Sequence, residues 1–125
     1  MSKVLVIEDN NQNLYLITFL LEKNGFEVIP ARNGYEGILL AEETSPDVIL
    51  LDIQLPQMDG FTVIKELRKI RALKDIPIVA VTSYAMVGDR ERALESGFDA
   101  YIEKPINPDT FILELKNILK IHRES

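Results

Sequence analysis

A chain of 125 residues, 46% hydrophobic and 27% charged, has the size and composition of one globular domain, 1–125, long enough to bury a core without staples. With no cysteine it has neither disulfides nor thiolate metal sites, and a net charge of −6 argues against the basic face that nucleic-acid binding requires. The start MSKVLVIEDN lacks the features of a signal peptide, and the longest near-apolar run, Leu14–Leu21, is far short of the ~20 residues that span a bilayer, so no membrane insertion and a cytoplasmic location are expected.

Short apolar runs alternate with helical patterns. Val4–Ile7 is the first run, followed by a helix over about Asn11–Asn24 that stops at Gly25, a residue suited to a left-handed cap. The inward set of that helix is Leu14, Ile17, Leu20 and Leu21, which leaves Leu16 and Phe19 partly outside it. Val28–Ile29 is the second run, and Asn33 then caps a helix over about Gly34–Glu43. Val48–Leu51 precedes a helix over about Phe61–Leu73, whose cations Lys65, Arg68, Lys69, Arg71 and Lys74 read as its wet side. Ile78–Val81 precedes a helix over about Ala85–Glu95 that stops at Gly97. Ala100–Ile102 is the last run. Asn107, Pro108 and Asp109 then read as N-cap, first helical residue and first-turn acid of a helix reaching about Ile121. His122–Ser125 reads as a frayed end, with the single histidine at the surface.

The first, third and fourth runs are apolar on both faces, as strands inside a helix-covered parallel sheet are, and the two shorter runs suit its edges. Five βα units imply an α/β fold with a doubly wound, five-stranded parallel sheet, flavodoxin-like, in the strand order 2-1-3-4-5. Such sheets bind ligands beyond the C-terminal ends of their strands. Glu8 and Asp9 follow the first run, Asp52 the third, Thr82 the fourth and Lys104-Pro105 the fifth. Three carboxylates, a hydroxyl and an ammonium therefore meet at one sheet edge. Carboxylates this close repel one another unless a cation intervenes, and an oxygen-only set suits Mg²⁺ or Mn²⁺ better than zinc. Asp9 and Asp52 are expected as direct ligands, with Glu8 acting directly or through water. Thr82 and Lys104 could hold phosphoryl oxygens while Asp52 serves as the nucleophile.

The segments VLVIEDN (4–10), DVILLDIQLPQMDG (47–60), IPIVAVTS (76–83) and GFDAYIEKPI (97–106) resemble response-regulator receiver domains of two-component systems, over essentially the whole chain. YAMVGDRE (84–91) is similar to single-domain regulators of the DivK and CheY kind and to receiver modules of hybrid kinases. The resemblance implies that Asp52 is the phosphoacceptor. It implies that Asp9 is a metal ligand beside the acid Glu8, and that the backbone carbonyl of Gln54 completes the protein's share of an Mg²⁺ shell. It further implies that Thr82 and Tyr101 form a switch pair, that Lys104 binds the phosphoryl group and that the Lys104–Pro105 peptide is cis. Gln54 and Tyr84 stand where the family tunes phosphoryl lifetime, and Ser83 where a smaller residue often follows the threonine.

The expected partners are a sensor histidine kinase or histidine phosphotransfer protein and a downstream target protein, with output by protein binding because no effector domain follows. The donor is expected to dock on the first helix and the loop after Lys104. The expected function is a phosphorelay switch rather than an enzyme, and the rival is a phosphate-independent adaptor of the same fold. A haloacid-dehalogenase-type phosphatase would need a second aspartate where Gln54 stands, and neither a P-loop nor a glycine-rich dinucleotide turn occurs.

Overall fold

The structure, a computed structural model, is described for residues 2–83 and 88–124. The elements in chain order are β1 (Lys3–Ile7), α1 (Asn11–Lys23), β2 (Glu27–Ala31), α2 (Gly34–Thr44), β3 (Val48–Asp52), α3 (Gly60–Lys69), β4 (Ile78–Thr82), α4 (Asp89–Glu95), β5 (Ala100–Glu103) and α5 (Phe111–Glu124). All strand pairs are parallel and the order is β2-β1-β3-β4-β5, as the alternation of runs and helices required.

The three central strands are buried along almost their whole length, which is why their sequences carry no polar alternation. Successive side chains point to opposite faces of the sheet. Leu5, Ile7, Ile49, Leu51, Ile78 and Ala80 therefore pack with Ala41, Val63, Ile64, Leu67 and Ala93 from α2, α3 and α4. Val4, Val6, Val48, Leu50, Val79 and Val81 pack on the other face with Leu14, Ile17, Leu20 and Leu21 of α1 and with Phe111 and Leu115 of α5. The inward set of α1 is the one its 3.6-residue period requires, while Leu16 packs against that core and Phe19 is 51% exposed. Pro30 lies in β2 and an exposed Glu103 ends β5, so each edge strand is more open to solvent than the central ones.

Local chemistry sets the ends of the helices. Asn10 and Asn33 cap α1 and α2 by accepting the backbone N–H of Asn13 and Glu36, each at 2.9 Å. Asp59 caps α3 in the same way through Thr62 N–H. Gly25 and Gly97 take positive φ, +88° and +112°, where the chain leaves α1 and α4. Asn107 Oδ1 accepts the Asp109 N–H at 2.9 Å, but residues 108–110 form a turn and α5 proper starts at Phe111. α4 begins at Asp89, and positions 84–87, including Tyr84 and the expected helix start at Ala85, lie outside the described residues.

Four expectations are corrected. β2 has five residues rather than two, because pairing with β1 extends it beyond its apolar pair. α3 ends at Lys69; Ile70 is extended (φ −80°, ψ 116°) and a 3-10 turn, Arg71–Leu73, follows. Arg68 is not a solvated cation. Its guanidinium donates to the carbonyls of Leu73, Lys74, Ile76 and Gly97 and to Asp99 Oδ2, at 2.8–3.2 Å. That convergence folds the chain back after Ile70, which an uninterrupted helix could not do. Asp99 Oδ2 also accepts the Ile78 N–H at 2.9 Å, so Arg68 links α3, the start of β4 and the turn before β5. Finally, α5 continues to Glu124 and His122 is half-buried, its Nε2 2.8 Å from the Asp75 carbonyl and its Nδ1 3.8 Å from Asp99 Oδ1.

Arg68→Ala should therefore cost about 2–4 kcal/mol, because four carbonyls and a carboxylate lose a charged donor. Lys69→Ala, which loses one exposed pair with Glu66, should cost roughly 0–0.5 kcal/mol. Urea unfolding of both variants checks this, and equal midpoints would refute the structural role of Arg68.

Candidate functional site

Four strand ends meet at the C-terminal edge of the sheet. Glu8 and Asp9 continue β1, Asp52 ends β3, Thr82 ends β4 and Lys104 follows β5. Glu8, Asp52 and Thr82 are 1%, 3% and 1% exposed, whereas Asp9 is exposed. One carboxylate oxygen from each of Glu8, Asp9 and Asp52 lies within 4.8 Å of the others. An open cleft of about 460 Å³ is lined there by Glu8, Asp9, Asp52, Gln54, Ser83 and Lys104, among others.

Each group is held by its own segment. The Lys104 ammonium lies 2.8 Å from Glu8 Oε1 and 3.0 Å from Asp52 Oδ2. The Lys104–Pro105 peptide is cis, and Lys104 N–H donates to the Thr82 carbonyl at 2.8 Å. Asp52 Oδ1 accepts the Gln54 N–H at 2.9 Å. Glu8 Oε2 accepts the Asn10 N–H at 3.1 Å, and Glu8 N–H donates to the Ala31 carbonyl at 2.9 Å. Asn10 thus caps α1 with its side chain and orients Glu8 with its backbone.

The charges do not balance. Three carboxylates face one ammonium, and burial is the main cause that lifts Glu8 above its ordinary 4.5 to about 7. Lys104 pulls Glu8 down, while Asp52 raises it further. Burial lowers the Lys104 ammonium, but Glu8 and Asp52 outweigh it and hold it above the ordinary lysine value. Glu8 Oε1 is buried and makes only the close ion-pair contact with Lys104, outside hydrogen-bond geometry. A divalent cation with oxygen ligands fits this set, since it balances the two surplus negative charges and needs neither nitrogen nor sulfur.

The structure brings the sequence-selected residues to one edge, with two differences in detail. Ser83 lines the cleft beside β4, while Thr82 is buried at the strand end. Ser83 donates to Gln54 Oε1 through its N–H (3.2 Å) and Oγ–H (2.9 Å), closing a side-chain link between the β3 and β4 loops that spacing alone did not reveal. Tyr101 is half-buried in β5, and burial, then the Asp89 and Glu103 charges, push its phenol above the ordinary value.

Gly60 is a residue that sequence reasoning did not single out. Its N–H donates to the Ile53 carbonyl at 2.8 Å, and a Cβ there would stand 2.6 Å from Ile53 Cα and 2.9 Å from the Asp52 carbonyl oxygen. The first turn of α3 is therefore pressed against the backbone that carries Asp52. The Asp59-Gly60 pair, a cap followed by the smallest residue, was the available signal.

The response regulator receiver domain family model matches residues 4–116. The chain is 47% identical over 116 residues to the polar-differentiation response regulator DivK of Brucella anthropi, covering 93% of this chain and 94% of that one. Its structure superposes on the chemotaxis response regulator CheY4 of Vibrio cholerae with a TM-score of 0.90 at 29% identity, covering 94% and 98% of the two chains. It also superposes on the receiver domain of a sensor histidine kinase from Pseudomonas aeruginosa, solved with a magnesium ion coordinated in the active site cleft. That TM-score is 0.85 at 33% identity, covering 99% and 98%.

A carboxyl whose folded value lies above its unfolded one retains a proton that the unfolded chain has lost. Stability from Glu8 therefore falls as pH rises through the window from 4.5 to about 7. In chelator, the loss should reach about 3 kcal/mol at most, taking ~1.4 kcal/mol per tenfold shift. Urea unfolding at pH 5 and 7.5 checks it: Glu8→Gln should lose clearly less stability over that interval than the wild type. Identical losses would show that Glu8 is ionised throughout.

Proposed function

The chain belongs to the response regulator receiver domain family, whose members are phosphorylation-dependent signalling switches, and from that premise we propose that Asp52 is its phosphoacceptor and that residues 1–125 form one receiver unit. The observation that carries this reading is the setting of Asp52. Its carboxylate is 3% exposed at the end of a central strand and opens on the cleft, with one oxygen on Gln54 N–H and the other on the Lys104 ammonium.

Receiver domains bind Mg²⁺ at an acidic site. Here Asp9, Asp52 and the Gln54 backbone carbonyl would hold it, with Mn²⁺ an alternative of the same chemistry. Glu8, whose two oxygens already face Lys104 and Asn10 N–H, would reach it directly or through water. When bound, the cation neutralises carboxylate and phosphoryl charge.

The chain's own residues supply the rest. An oxygen of Asp52 attacks the phosphorus of a phosphohistidine in line; the P–N bond breaks and the imidazole leaves with a proton from solvent. Lys104 stands 3.0 Å from Asp52 Oδ2 and needs little movement to pair with the new phosphoryl oxygens. The Thr82 hydroxyl turns to the same group, and Tyr101 takes the space this leaves. The surface of α4, β5 and α5 changes as a result. Water later hydrolyses the acyl phosphate, so self-catalysed uptake and slow loss are the chemistry of this chain.

The family interacts with histidine kinases and downstream targets. For this chain, expected in the cytoplasm, a sensor histidine kinase or histidine phosphotransfer protein is the donor and a target protein the reader. The exposed Tyr15 (74%) and Phe19 on α1, beside the acidic edge, support donor docking there. No described helix is long and apolar enough to cross a membrane. Nothing favours the adaptor reading, because the acids, the hydroxyl and the ammonium are all present.

Incubation with Mg²⁺ and acetyl phosphate should add one phosphoryl mass to the wild type and none to Asp52→Ala, and chelator should abolish the gain. Lys104→Ala should label more slowly, by about 10- to 100-fold. Intact-mass spectrometry reads all four conditions, and no gain in the wild type while a control receiver is labelled would sink the proposal.

A further inference from the structure

At the other end of the sheet, a groove of about 610 Å³ runs between the C-terminal half of α5 and the N-terminal ends of β3 and β4. Phe26, Val48, Pro77 and Leu119 give it an apolar lining. Lys116, Lys120 and Arg123 stand along its α5 wall, spaced i, i+4 and i+7 on one helix face. Among the described residues none of these three makes an ion pair. The carboxylate in the lining, Asp47, has its Oδ2 turned to the Lys3 N–H at 2.7 Å. His122, also in the lining, contacts the Asp75 carbonyl. A chain of net charge −6 thus presents a row of three uncommitted cations over an apolar groove.

We propose that this groove docks an acidic segment of a partner protein, with carboxylates along Lys116, Lys120 and Arg123 and an apolar side chain between Phe26 and Leu119. Charge complementarity selects the occupant. At a rise of about 1.5 Å per residue the cations extend over roughly 10 Å, which suits a segment carrying several acids better than a small anion that meets one or two. Mostly apolar concave sites with a few convergent charged groups are where proteins take ligands. The groove and the phosphoacceptor cleft lie beyond opposite ends of the strands, so this docking does not cover Asp52.

The test titrates the isotope-labelled full chain with the acidic peptide acetyl-EELFEELD-amide at low salt, followed by amide chemical shifts. The wild type should show shifts clustered at residues 26, 47–48 and 116–123, weakening as salt rises. Lys116→Glu/Lys120→Glu/Arg123→Glu should lose at least ten-fold in affinity while keeping a folded spectrum, since all three side chains are exposed. The proposal is overturned by shifts that cluster elsewhere, by binding the triple variant retains, or by no binding at millimolar peptide. It is equally overturned if citrate alone reproduces the shifts, which makes the site a small-anion site, or if the same peaks move on dilution of the protein alone, which makes the occupant a second copy.

Discussion

The functional edge is organised by one half-buried ammonium between two buried carboxylates. Lys104 follows the edge strand β5, yet its Nζ reaches Glu8 after β1 and Asp52 at the end of β3, passing over β4. Removing three charged groups from water is costly, and the mutual attraction offsets that cost only where further hydrogen bonds complete the shells. Asn10 and Gln54 N–H groups do so for one oxygen of each carboxylate. What the ammonium leaves unbalanced is negative charge, which a divalent cation with oxygen ligands fits. The local cap of α1 and the close approach of Gly60 keep the two carboxylates from relaxing apart.

The features legible in the sequence were those set by local or strictly periodic forces. The continuous apolar runs of β1, β3 and β4 are read because a strand covered on both faces is apolar until its C-terminal end. The Asn33 cap of α2 is read because a cap satisfies N–H groups two or three residues away. The acids were legible because the ends of parallel strands are where such sheets place chemistry. The break of α3 was not legible: it depends on carbonyls of residues 73, 74, 76 and 97 reaching one guanidinium, and no window of sequence contains that convergence. The half-burial of His122 and the link between Ser83 and Gln54 escaped for the same reason, since both partners come from different elements. Arg68 shows that a cation on a helix can look solvated in sequence and be fully engaged in space.

The division of labour between sheet and loops follows from packing. The strand backbones are buried between two apolar layers and have little freedom, whereas the groups that handle charge sit at the first residues beyond them. A change of charge at Asp52 therefore finds a rigid floor and yielding surroundings.

The two edge strands carry a different consequence. β2 offers a proline without an N–H and an exposed Glu27, and β5 is four residues long and closes on an exposed Glu103. A row of free backbone donors and acceptors would recruit a strand from another chain; these rows are interrupted, short and negatively charged. Strand addition, amyloid-like stacking and edge-to-edge oligomers are all disfavoured at once. Recognition is thereby confined to helix faces and loops, the parts of the molecule that a phosphoryl group at the sheet's end can reshape.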